Sequence, residues 1–124
     1  MTKRQALQRF FKQFGTFYEE AAVPTGANAP SFPYGTYEGV SDNFGSETPM
    51  SVNWWDRSPS WLGAEEKEQE IASVIGRGGI IIPCSGGGLW IKRGEPFVRD
   101  TGDESDAMIR RKIFNLMIEF LTEV

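Results

Sequence analysis

A chain of 124 residues makes one domain, with length for a single hydrophobic core and little room for a second. Its net charge of −4 argues against a tightly held nucleic acid. The absence of His removes the Ser-His-Asp triad, the Cys-His pair and His-based zinc sites. Cys84 stands alone and can form no intrachain disulfide, which fits a reducing compartment or indifference to redox state.

The opening segment MTKRQALQRFFKQF is basic, but its apolar residues are spaced, so it reads as a helix and not as a secretory signal. Leu7, Phe10, Phe11 and Phe14 form one stripe at helical spacing. Thr2 caps the start, Gln5 completes a capping box, and Gly15 ends the helix. Lys3, Arg4, Arg9 and Lys12 fall on the opposite side, either as a solvated face or as a contact surface.

Residues 19–31 are turn-forming and read as a loop. FPYGTYEGV (32–40) has strand spacing, with Tyr34, Thr36 and Val40 on one face. Residues 41–49 form a long polar connection with Phe44 at its centre, either an anchor for a partner or a ring folded back on its own domain. MSVNWWDR (50–57) is a second strand, expected antiparallel to the first. It places Val52 and Trp54 on one face and Trp55 and Arg57 on the other.

Ser58-Pro59 carries the signature of a helix start, and the helix is expected to reach Ile75 and stop at Gly76. Glu65, Glu66 and Glu70 point to water on it, while Ala64, Glu68, Ile71, Ala72 and Ile75 lie close to one face. Two short apolar runs around SGGG (85–88) form a β-hairpin, and Pro83 marks its first strand as an edge or an end. A loop follows. From Ile109 to Val124 the alternation of Phe114, Leu116, Ile118 and Phe120 predicts a long strand, although a helical stripe also fits. The fold expected is α+β: two helices packed on a mostly antiparallel sheet, in one domain over residues 1–124.

Little of this sequence offers chemistry. Cys84 beside Pro83 reads as a buried, inert thiol. The glycines at 76–79 and 86–88 lack the setting of a phosphate loop and serve turns. Asp100, Asp103, Glu104 and Asp106 lack the spacing of a calcium loop and read as a solvated turn. No catalytic, metal or cofactor site is expected, and no apolar run approaches the ~18 residues of a membrane span. The tryptophans stand out. Trp54 and Trp55 make both faces of one strand aromatic, so one of them calls for a partner surface if helices cover only one side.

Four stretches, FPYGTY, SVNWWDRSPSW, IGRGGIIIPCSGGGLWIKRGEPF and SDAMIRRKIFNLMIEFLTE, resemble in order and type the tail-terminator, or tail-completion, proteins of long-tailed bacteriophages, especially those of Gram-positive hosts. The resemblance runs from about Glu19 to the end. It implies a virion protein that forms a ring, a homohexamer, on the last ring of major tail-tube protein and stops the tube there. The ring would dock to the stopper, or head-completion, protein of the connector, with DNA passing through its lumen. The same resemblance implies assembly in the host cytoplasm and no membrane partner. A stopper protein or a tube subunit is the nearest alternative, and a small-ligand binder a remote one. Interface candidates are Trp55, Arg57 and Phe44, with Lys3, Arg4, Arg9 and Lys12 set against Glu65, Glu66 and Glu70 as complementary patches of a head-to-tail contact.

Overall fold

The computed structural model describes residues 1–123, so Val124, at the end of the last expected strand, lies outside the described residues. Its α+β architecture is a six-stranded sheet with two helices. In chain order come α1 (Lys3–Lys12), β1 (Phe17–Glu19), β2 (Tyr34–Tyr37), β3 (Glu47–Arg57), α2 (Leu62–Ile75), β4 (Ile80–Cys84), β5 (Gly87–Asp103) and β6 (Asp106–Thr122). The strand order is β1-β2-β3-β6-β5-β4, antiparallel except for the β1–β2 pair.

Two antiparallel units meet at the centre of this sheet. β2 and β3 form one, β4, β5 and β6 the other, and β3 pairs with β6 from Glu47↔Glu119 to Arg57↔Ile109. α2 is the connection between them, and it packs back over β3, β5 and β6. Such long-range ladders hold the fold from its middle outward.

α1 forms as its sequence dictates. The Thr2 hydroxyl accepts from the Gln5 N–H at 3.1 Å, and the Gln5 side chain accepts from the Thr2 N–H at 2.9 Å. Leu7, Phe10, Phe11 and Phe14 are all buried, against Tyr37, Trp54 and Phe17 among others. Phe11 stacks on Tyr37 with ring centres 4.6 Å apart, and Phe17 tilts against Trp54 at 5.4 Å. From the sheet come Met50, Val52, Leu89, Ile91, Phe114, Leu116, Ile118 and Phe120, and from α2 come Ile71 and Ile75. Both helices therefore lie on the same face. The other face carries neither α1 nor α2.

Several expectations are corrected. β1 was not expected within the loop it borders. It exists because Gly35 leaves room for the Phe17 ring; a Cβ there would sit 2.3 Å from that ring. β2 stops at Tyr37, so Val40 lies outside it, and β3 begins three residues earlier, at Glu47. α2 begins at Leu62 instead of Pro59. The Ser58 N–H stays bonded to the Met108 carbonyl at 2.8 Å, in register with the sheet, so the chain needs another turn before it can coil. The segment expected as a loop after the hairpin continues β5 to Asp103, with a register shift between Arg93 and Val98, and the acidic residues beyond it form the tip of the β5–β6 hairpin. Cys84 is half-buried at the margin of the core and not enclosed within it. The terminal strand, the Gly76 stop and the edge position of β4 follow the sequence reading.

Candidate functional site

Residues directly opposite in an antiparallel pair share a face, and successive residues alternate. That rule places Trp54 with Lys112 and Phe114 under the helices, and Trp55 with Tyr34 and Arg111 on the uncovered face. Trp54 is 4 % exposed. Trp55 is only half-buried and stacks on Tyr34 at 5.2 Å, with the Arg111 guanidinium 5.2 Å from its ring. Arg111 is itself held by two hydrogen bonds to the Asn53 side-chain oxygen, at 2.8 and 3.0 Å.

Further along the same face, Lys92 lies 4.1 Å from the centre of the Trp90 ring, and its ammonium reaches Glu119 at 2.9 Å and Glu47 at 3.5 Å. Half-buried Ile113 and Met117 occupy the intervening positions of β6. The uncovered face is thus an aromatic and aliphatic strip laced with fixed charges. Such a surface combines apolar area with oriented polar groups, as the cores and rims of protein interfaces do.

The other candidates are scattered around it. Arg57 is exposed and pairs with Asp106 at 2.8 Å, which holds the Asp106 carboxyl below the usual carboxylate range. Phe44 does not fold back: it is 76 % exposed. Lys3 is engaged within its own chain, donating to the Asp42 carbonyl at 2.6 Å, and Arg4 pairs with Glu19 at 3.4 Å. Arg9 and Lys12 are exposed, as are Glu65 and Glu66. Glu70 pairs with Lys67, whose ammonium also donates to the Phe14 carbonyl and lies 4.8 Å from the Trp54 ring. Only part of the basic first helix is therefore free to meet an acidic partner.

One charge is buried where the strand pattern predicts an apolar side chain. Lys112 is 2 % exposed, and its ammonium reaches Asp100 at 2.6 Å and Glu68 at 2.8 Å. Burial alone would push its pKa down, but the hydrogen bonds to Asp100 and Glu68 outweigh it, and the net shift is upward. A signal was present: Lys112 occupies the core parity of a strand otherwise read as Phe114, Leu116, Ile118 and Phe120. A lysine at such a position demands carboxylate partners. Here they lock α2 and β5 onto β6, a structural task.

Among the described residues no group of three or more Cys, Asp or Glu side chains is placed to hold a metal, and no helix is long and apolar enough to cross a membrane. The fold is an α+β domain with one sheet face left uncovered and lined by aromatic and charged side chains. Comparison with protein-family models, curated proteins and solved structures finds no match.

Proposed function

We propose that the protein is a structural subunit of a long-tailed bacteriophage, forming a ring at the head-proximal end of the tail tube. In this reading it ends tube growth, presents the docking surface for the head connector's stopper protein, and lets DNA pass without gripping it. Its partners are further copies of itself, the major tail-tube protein and the stopper. It performs no catalysis and carries no cofactor.

The observation that carries the reading is the sheet face away from α1 and α2, centred on Trp55, Tyr34 and Arg111. Large rigid aromatics held beside fixed charges suit repeated, oriented contact with another protein. The four sequence stretches described above supply the kind of assembly. An acidic balance, with a sequence pI near 4.9, fits a conduit that repels a passing polyanion.

The test is electron microscopy of the purified chain added to polymerising tail-tube protein of the same phage. Tubes that stay short and carry an extra ring at one end support the proposal. Filaments of the chain alone would make it a tube subunit, and tubes of unchanged length with bare ends would overturn it.

A further inference from the structure

The turn that precedes β3 displays Phe44 in a manner the isolated domain does not use. Its ring is 76 % exposed, and its backbone sits at φ +38°, a left-handed conformation that strains a bulky residue. Nor is the turn loose. The Phe44 N–H donates to the Thr122 carbonyl at 2.8 Å, the Gly45 N–H to the Phe120 carbonyl at 2.7 Å, and the Phe120 N–H to the Ser46 carbonyl at 2.9 Å. Exposed acids, Asp42 and Glu47, flank it. An apolar ring is thus held out rigidly, in strained backbone, beside the exposed Asp42 carboxylate, while Glu47 is paired with Lys92 at 3.5 Å.

A complementary surface lies elsewhere on the same chain. Between α1 and the edge strand β4 runs an open groove of about 390 Å³, walled by Ala6, Phe10, Val74, Ile80, Ile82 and Pro83. Met1, Arg9 and Gln13 complete its lining, and all three are exposed. Its volume is at the low end for ligand cavities, roughly 300–1,000 Å³, and suits one or two apolar side chains. Pro83 lacks an N–H, so this edge is poorly made for adding a strand and better made for taking a side chain.

We propose that Phe44 of one copy inserts into the α1–β4 groove of the next, with Asp42 set against Arg9. The inference rests on the assembly reading above and supplies its self-contact. Ring and groove are different surfaces, so the contact is heterologous: every copy keeps one free knob and one free groove, and the chain of contacts closes into a ring or runs on. The neighbour's cover would withdraw the exposed Phe44 ring from water.

The test mixes two single-cysteine chains made on a Cys84→Ser background, one with Asn43→Cys, which keeps the Phe44 ring, and one with Gln13→Cys. Under mild oxidation the mixed disulfide should accumulate in clear excess over both like-with-like pairs; statistical proportions would overturn the contact. Phe44→Asn, which suits a left-handed backbone, should keep the wild-type melting temperature and lose the assembled species in light scattering. Arg9→Glu should weaken assembly, and adding Asp42→Lys should restore part of it. A Phe44→Asn chain that assembles like wild type contradicts the proposal. Tube capping is read separately, so a ring that ignores tubes would refute the tail-terminator role and leave the self-contact standing, while capped tubes with random cross-links would do the reverse.

Discussion

The two faces of the sheet are built from similar residues and buried to very different degrees. Under the helices Trp54, Phe114, Leu116, Ile118 and Phe120 are almost wholly withdrawn from water. On the uncovered face Trp55, Ile113 and Met117 remain half-exposed, and Trp55 and Trp90 are each covered by one cation in place of a layer of side chains. Aromatic content alone therefore says little about a core. What separates the faces is which one α1 and α2 cover, and the other is left with apolar side chains half-exposed to water.

The largest contrast should come from truncation within β6. Phe114→Ala removes a fully buried ring and should cost about 3–5 kcal/mol. Ile113→Ala, one residue along and on the other face, should cost about 1 kcal/mol or less. Denaturant unfolding measures both; equal losses would mean that the uncovered face is as much core as the other.

Lys112 tests the seam where α2 meets the sheet. Lys112→Ala should destabilise by about 3 kcal/mol, the low end for a broken buried pair, because Glu68 and Asp100 are partly solvated and tolerate its loss. Lys92→Ala, the ion pair of the uncovered face, should cost less than about 1 kcal/mol. A reversed order would show the seam to be the weaker element.

Alkaline pH acts mainly on the covered face. Burial, together with the Glu19 carboxylate and against the opposing Arg4 charge, pushes the Tyr37 phenol from 10.0 to about 12. The unfolded chain then loses this proton first, so stability is full below pH 10 and falls as pH rises toward about 12. Lys112, also raised, adds in the same direction, since its ammonium is favoured in the fold. Tyr37→Phe should be less stable at neutral pH by about 1 kcal/mol, having lost the hydrogen bond to Gln8, and should show a shallower alkaline decline. Melting temperatures at stepped pH would reveal an unchanged slope, the contrary result.

The smallest effect belongs to the charged helix surfaces. Reversing Lys12, which lies outside the groove, should weaken assembly modestly, and reversing Glu65 and Glu66 with it should restore part of it. Both effects should shrink as added salt brings the screening length down to ~8 Å. Light scattering across a salt series checks this, and assembly that ignores both charge and salt excludes the pairing.

Much of the covered face was legible in the sequence because its signals are local. The Thr2–Gln5 capping box, the stripe through Phe14, the Gly76 stop and the alternation from Phe114 to Phe120 each involve residues close together in the chain. The misreadings arose where distant pairing decides the outcome. Residues 94–103, with Gly94, Pro96 and several charges, look like a loop until β6 supplies their ladder. Ser58-Pro59 looks like a helix start until Met108 claims the Ser58 N–H. For the site, alternation placed Trp54 and Trp55 on opposite faces, while the Tyr34 stack, the Arg111 cover and the α1–β4 groove depend on strands that only the tertiary fold brings together.

The most direct measurement sets Trp54→Ala beside Trp55→Ala, reading melting temperature and assembled mass on the same samples. Trp54→Ala should lose about 3–5 kcal/mol of stability. Trp55→Ala should lose roughly 1 kcal/mol, from its stack and cation contact, yet fail to join tail tubes. Two variants that melt alike, or a Trp55→Ala chain that caps tubes as wild type does, would contradict the division of the sheet into a folding face and a contact face.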